Sequence, residues 1–178
     1  MIAEIVLKFG GQKLEIEKGT LVFHEGNAAI YYYEILNGSV KMFNQNTNGK
    51  EFTQASFKAG ECFGEAPLFI NENYACSAIA TSQVELVRLP KEKFLQLLDE
   101  DSNIERQFLT LLATRNFEKS VTAREVINQD AEKRILSFIE RYKKENSTDG
   151  TKIIIPFTRQ EIANRTGLRV ETVIRTLS

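Results

Sequence analysis

The spacing of apolar and polar positions changes several times along the chain. Ile2, Ile5, Val6 and Phe9 recur at helical spacing and stop at Gly10-Gly11, which predicts a short N-terminal helix ended by glycine. From there the pattern breaks into short runs rich in β-branched and aromatic residues: "KLEIEK", "TLVFHE", "IYYYEIL", "SVKMFN", "KEFTQASF", "SAIA" and "VELVRL". Glycines at 19, 26, 38, 49 and 60 separate them, with a hairpin loop predicted at "NTNGK" around Gly49. Such regular turns mark an antiparallel sandwich or barrel, and a β-roll is expected from Gln12 to Leu89.

Helical spacing returns after Pro90. "PKEKFLQLLDE" reads as a short helix with proline in its first turn. Ser102 to Glu105, "SNIE", reads as a capping box opening a helix that runs to about Asn128 without Pro or Gly. Ile104, Phe108, Leu111 and Leu112 form its apolar stripe. The stripe fits packing against the roll or a subunit seam; a helix longer than a small domain needs favours the seam. "DAEKRILSFIERYKKE" is a further amphipathic helix with Ile135, Leu136, Phe138 and Ile139 inward, followed by the loop "NSTDGTK" and a short apolar strand "IIIPF". The domains predicted are a β-roll over 1–99, a connecting helix over 100–128 and a helical unit over 129–178, an α+β chain.

Composition narrows the function. No apolar run reaches the roughly 18–20 residues of a membrane span, and the N-terminus lacks a basic, cleavable leader, so no membrane partner and a cytoplasmic location are expected. The net charge of −1 is unevenly spread: −3 over 1–99, −1 over 100–128 and +3 over 129–178. A polyanion, if bound, meets the C-terminal third. One histidine, His24, and no nucleophile-base constellation argue against an enzyme, and no catalytic residue is assigned. Cys62 and Cys76 lack metal-site spacing and read as reduced thiols, with a redox pair as the alternative; no metal is expected.

The sharpest pattern is "TRQEIANRTGLRVETVIRTLS", residues 158–178. Thr158 to Glu161 is a capping box; Ala163 is small where two helices approach; Gly167 suits a tight left-handed turn; Val173 packs the second helix on the first. That spacing is a helix-turn-helix, whose second helix enters the major groove. Glu171 and Arg175, at i and i+4, face base edges: arginine can fork onto guanine and a carboxylate can accept from cytosine. An exposed i, i+4 ion pair is the plainer reading of the two. Arg159, Arg165 and Arg169 are expected at phosphates, which give affinity without sequence information.

With "KGTLVFHEGN", "GECFGEAPLF" and "DAEKRILSFI" ahead of that motif, nearly the whole chain resembles the CRP/FNR family of bacterial transcription regulators. The resemblance implies a cyclic-nucleotide-binding-like double-stranded roll, a long dimerisation helix and a winged helix-turn-helix. It implies a homodimer on a palindromic double-stranded DNA operator, acting on RNA polymerase. Arg159, Gln160, Arg169, Val170, Glu171, Ile174 and Arg175 are the residues it places at the DNA. "VET" at 170–172 resembles the FNR branch, while Ile174 replaces that branch's serine and can touch only a thymine methyl. The sequence ends at Ser178, ahead of the wing, so the helix-turn-helix is read as incomplete.

In relatives that bind cyclic nucleotides, a glutamate holds ribose and an Arg-Ser/Thr-Ala ending closes on phosphate. Phe63, Gly64, Glu65 and Ala66 match the start of that loop and Ser77 its end, but Cys76 stands in the place of the arginine. The loop is one residue longer than in the catabolite activator, and "YACSA" resembles branches that do not bind cyclic nucleotides. Without the charge-assisted arginine contact, cAMP is not expected, no cofactor is assigned, and the effector is unknown. Two alternatives stand beside this reading: a cyclic-nucleotide response through an atypical loop, and a ligand-binding roll whose helical tail contacts only protein.

Overall fold

A computed structural model describes residues 2–128, 130–146 and 154–177. The chain divides into two compact units, Met1–Ala113 and Thr114–Ser178. That division differs from the expected 1–99, 100–128 and 129–178, because the start of the long helix packs with the roll.

The first unit begins with α1 (Ala3–Lys8), followed by β1 (Gln12–Ile16), β2 (Leu21–Phe23), β3 (Tyr31–Asn37), β4 (Ser39–Gln45) and β5 (Glu51–Lys58). Then come β6 (Cys62–Phe63), α2 (Ala66–Ile70), β7 (Ser77–Ala80), β8 (Val84–Pro90), α3 (Lys91–Glu100) and α4 (Ser102–Asn128). The strands form two antiparallel four-stranded sheets, β1-β8-β3-β6 and β2-β7-β4-β5. Every β run predicted for the roll is a strand. β6 and α2 are additions, β6 leading into the segment read as a ligand loop and α2 inside it.

Tyr31, Tyr32 and Tyr33 alternate faces along β3, and both faces of the strand are covered. Tyr33 points between the sheets, with its ring 5.4 Å from Phe63 and 5.9 Å from Phe23. Tyr32 points the other way and stacks on Phe94 of α3 at 4.4 Å, with Phe108 of α4 edge-on at 5.7 Å. A helix-covered sheet therefore explains why β3 reads as a nearly continuous apolar run, interrupted by the buried Glu34.

The same packing corrects the subunit seam. Ile104 and Phe108 are buried in the roll's own core and Leu111 packs against it. Leu112 is half-buried. Leu109 and Phe117, on the opposite side of α4 by helical spacing, are 69% and 70% exposed. The cap of α4 also differs from expectation: the Asp101 carboxylate accepts from the amides of Asn103 (3.0 Å) and Ile104 (3.2 Å), so Ser102 lies inside the helix. Pro90 closes β8 and caps α3 rather than sitting in its first turn.

The second unit holds the remainder of α4, α5 (Ala131–Asn146), α6 (Arg159–Thr166) and α7 (Val170–Thr176). Its core is Ile135, Ile162, Ala163 and Val173, with Phe138, Ile139, Phe157, Leu168 and Val170 around it. Leu136, expected inward, is 50% exposed. The expected strand "IIIPF" is not formed at Ile154–Phe157; Ile153 and most of the preceding loop lie outside the described residues.

Candidate nucleic-acid interface and ligand loop

α6 is fixed at its start by a complete capping box. Thr158 Oγ1 accepts from the Glu161 amide at 3.2 Å, and Glu161 Oε2 accepts from the Thr158 amide at 2.7 Å. Gly167 ends the helix at φ 67°, a left-handed turn that glycine adopts without penalty. Ala163 and Val173 are fully buried where α6 and α7 meet, as the motif requires. Arg134 Nη2 donates to the Thr166 carbonyl and ties α5 to the end of α6.

This scaffold leaves one face of α7 bare. Glu171, Ile174 and Arg175, at i, i+3 and i+4, are exposed on it. Among the described residues Glu171 and Arg175 form no ion pair with one another, so the plainer reading of their spacing is not what α7 displays. Arg169, the residue before α7, and Arg159 and Gln160, at the start of α6, are also exposed. Gln160 Nε2 donates to Asn164 Oδ1 at 2.9 Å.

Two residues differ from expectation. Val170 turns toward the unit's core and is half-buried there. Arg165 lies with its guanidinium 4.4 Å from the Phe157 ring centre, and burial pushes its pKa down, an environment for packing rather than for phosphate.

The ligand loop is brought together as expected, and aromatic rings pack against its first glycine. Gly64 has φ 69°, and a Cβ there would lie 2.8 Å from Phe23 Cζ and 3.2 Å from Tyr74 Cε1. Phe23 and Tyr74 stack face to face, 3.7 Å between centroids and 9° between planes, directly against the Gly64 backbone. Phe63 is fully buried beneath them and Glu65 and Cys76 are buried too. Ala66 begins α2.

The loop's polar groups are engaged within the roll. Ser77 Oγ accepts from the Glu25 amide at 2.9 Å, the Tyr74 carbonyl from the Gly26 amide at 2.8 Å, and the Ala75 carbonyl from Asn44 Nδ2 at 2.7 Å. Burial pushes the Tyr33 and Tyr74 phenols up, keeping both neutral. His24 is exposed in the turn after β2, its amide donating to Asn27 Oδ1 at 3.2 Å. Phe23 and Tyr74 were not singled out from the sequence; the usable signal was the density of aromatic residues on strands converging at Gly64.

Residues 13–101 match the cyclic nucleotide-binding domain and residues 133–178 the Crp-like helix-turn-helix domain. The cAMP-activated global transcriptional regulator CRP of Haemophilus influenzae is 32% identical over 166 residues, covering 89% of this chain and 71% of that protein. This chain belongs to the CRP/FNR family of transcription regulators. The cyclic AMP receptor protein of Thermus thermophilus is 26% identical over 160 residues, covering 90% of this chain and 72% of that protein.

Among solved structures, the c-di-GMP-responsive global regulator CLP of Xanthomonas campestris superposes with a TM-score of 0.84 at 23% identity, covering 98% of this chain and 89% of that one. The family fold thus accounts for both halves of the architecture: an antiparallel nucleotide-binding-like roll followed by helices that carry a DNA-binding helix-turn-helix. The family consists of regulators, and nothing in these likenesses points to catalysis. No described helix is long and apolar enough to cross a membrane.

Proposed function

We propose that this CRP/FNR family member is a homodimeric, sequence-specific DNA-binding regulator whose roll does not take cAMP. The observation that carries the reading is the bare face of α7. Glu171, Ile174 and Arg175 stand together on it, held at a fixed angle by Ala163, Gly167 and Val173. Arg175 forks onto a guanine, Glu171 accepts from a cytosine, Ile174 meets a thymine methyl, and Arg159, Gln160 and Arg169 hold the flanking backbone. Val170 supports the helix from its inner side. A twofold dimer presents two such helices to a palindrome, and contact with RNA polymerase is the family's route from binding to transcription.

The exposed face of α4 supports the dimer. Leu109, Ala113 and Phe117 lie at i, i+4 and i+8, all exposed, opposite the stripe that packs on the roll. A knob-and-hole seam between two copies of this helix buries them.

Two observations weigh against cAMP. The arginine position holds Cys76, and the space beside Gly64 holds the Phe23–Tyr74 stack. The cAMP-activated relative favours the second reading, a cyclic-nucleotide response through an atypical loop.

The test selects duplexes from a random pool and titrates the selected site with salt. A regulator loses affinity steeply with salt yet keeps its preferred sequence; no preferred sequence would sink the DNA-reading proposal and leave the helical tail as a protein-contact surface. Calorimetry with cAMP is expected to show no heat of binding, and saturable binding would establish the second reading instead. Sedimentation is expected to show a dimer that Leu109→Glu dissociates, whereas a monomeric wild type overturns the seam.

A further inference from the structure

The chain contains two Asn-Gly steps, Asn37-Gly38 and Asn48-Gly49, and neither belongs to the surfaces that read DNA or surround the ligand loop. Asparagine followed by glycine is the step at which the backbone most easily attacks its own side chain, because glycine has no Cβ to keep the attacking nitrogen away. The two steps share that chemistry, and the fold treats them differently.

Asn37-Gly38 lies at the corner where the chain leaves one sheet for the other. Asn37 pairs with Glu85 of β8 and Ser39 with Lys58 of β5, so ladders hold the backbone on both sides. Gly38 is pressed against the neighbouring turn: a Cβ there would lie 2.2 Å from the Gln83 carbonyl oxygen and 3.0 Å from Val84 Cα. The Gly38 amide donates to Asn37 Oδ1 at 2.9 Å, and turning it onto Asn37 Cγ would break the corner open.

Asn48-Gly49 lies in the exposed hairpin loop between β4 and β5, beyond the last paired residues, Gln45 and Glu51. Around Gly49 there is open space, with nothing within 4 Å of where a Cβ would stand. Among the described residues nothing bonds to the Asn48 side chain; its backbone amide donates to Asn46 Oδ1 at 3.0 Å. The Gly49 amide donates to the Asn46 carbonyl at 2.9 Å, but this bond closes a solvent-exposed turn and opens without disturbing a ladder.

We infer that Asn48 is a site of spontaneous deamidation, a covalent modification that the fold permits there and blocks at Asn37. Hydroxide takes the proton of the Gly49 amide, the nitrogen attacks Asn48 Cγ, and the Cγ–Nδ2 bond breaks to leave a succinimide. The departing nitrogen takes a proton from water, which releases ammonia and restores the hydroxide. Water then opens the ring, at Cγ to give aspartate or at the backbone carbonyl to give isoaspartate, so that one water is consumed for each ammonia released. Either product adds a carboxylate beside Lys50 and takes the net charge of residues 1–99 from −3 to −4. Isoaspartate also inserts a backbone carbon between the amides of Asn48 and Lys50, which Asn46 Oδ1 now holds at 3.0 and 2.9 Å, and so opens the turn. Chains of different age therefore differ in charge and in the shape of this hairpin.

The test needs neither DNA nor an effector, so it succeeds or fails independently of the proposed function. The full chain is held in mildly alkaline buffer, with and without guanidinium, and then digested with pepsin in acid, where the succinimide step is slow. Mass spectrometry of the peptides reads the amide-to-acid shift at each step, and methyl transfer by an isoaspartate methyltransferase counts the isoaspartyl product. In the folded protein Asn48 is expected to convert at a rate proportional to hydroxide while Asn37 stays intact; in guanidinium both are expected to convert at similar rates. The folded wild type should drift to more acidic forms on anion exchange, and Asn48→Gln, which would have to close a larger ring, should not. Asn48 left intact in the folded chain, or an acidic drift that survives in Asn48→Gln, would overturn the site. Equal conversion of Asn37 and Asn48 in the folded chain, or of neither in guanidinium, would overturn the role assigned to the fold.

Discussion

Replacing Gly64 by alanine tests whether the ligand loop is filled by the protein's own side chains. At φ 69° an L-residue is strained by about 1–2 kcal/mol. The new methyl would also lie 2.8 Å from Phe23 Cζ and 2.9 Å from Cε1, on a ring locked by the Tyr74 stack. Overpacking of that kind costs about 1–3 kcal/mol, so Gly64→Ala should lose about 2–5 kcal/mol in all. Far-UV circular dichroism under urea is the assay, since the chain has no tryptophan to report by fluorescence. With a slope near 2 kcal/mol/M, the midpoint falls by about 1–2.5 M. The strain and the clash separate in a double-mutant cycle with Phe23→Leu, because leucine ends short of Cε1 and Cζ. In that background the backbone strain and the 3.2 Å approach to Tyr74 Cε1 remain, and the two substitutions should couple by about 1–3 kcal/mol. Additive effects would mean that Phe23 does not rest on Gly64, and the argument against a nucleotide in that space would lose its structural half.

Arg175→Ala should reduce discrimination at one base pair in each half-site by about 1–3 kcal/mol, whereas Arg159→Ala should weaken all sequences alike and lower the salt slope by about one; competition anisotropy on single-substitution operators separates the two. Thr158→Ala removes the hydroxyl half of the α6 capping box and should cost about 0.5–2 kcal/mol in thermal or urea unfolding of the helix-turn-helix. Glu34 is buried, accepts from Tyr32 Oη at 3.0 Å with one oxygen, and has its other oxygen unpartnered. Burial pushes its carboxyl up, while the bond from Tyr32 and the Ile2 and Ala3 amides oppose the shift. The unfolded chain therefore ionises first as pH rises, and this group's contribution to stability falls between the ordinary carboxylate range and the raised folded value. Glu34→Gln should flatten that slope and gain on the wild type at neutral pH relative to pH 4; denaturation midpoints across this range check it, and parallel curves would refute it.

The DNA-reading unit was legible because its constraints are local. A capping box, a small residue, a glycine and an aliphatic residue within sixteen positions fix α6, the turn and α7 without reference to anything distant. Val170 and Arg165 were less so, since facing inward depends on what Phe157 and Ile162 bring from elsewhere. The roll's strands were legible for the same reason as α6, by alternation and turn glycines. Its two additions, β6 and α2, have two and five residues, too few for a period to show.

The long helix and the ligand loop share one physical limit of sequence reading: a pattern within a segment names its apolar face but not what covers it. Ile104 and Phe108 made a correct apolar stripe on α4, yet the surface meeting it is Tyr32 and Phe94 of the same chain. The residues left for a second subunit, Leu109 and Phe117, form the sparser stripe. Gly64 to Ser77 likewise has the outline of a phosphate cradle, while the rings packed against its first glycine come from Phe23, some forty residues earlier, and from Tyr74 within the loop itself. Cys76, in the place of the arginine, and the Phe23–Tyr74 stack are thus the two features that bear on that site. Restoring charge with Cys76→Arg leaves the Phe23–Tyr74 stack in place and buries a guanidinium, a group that costs several kcal/mol unless an anion joins it. The substitution should therefore destabilise the roll without creating cAMP affinity, measured by calorimetry. Tight cAMP binding by Cys76→Arg alone would show that the stack yields to a ligand.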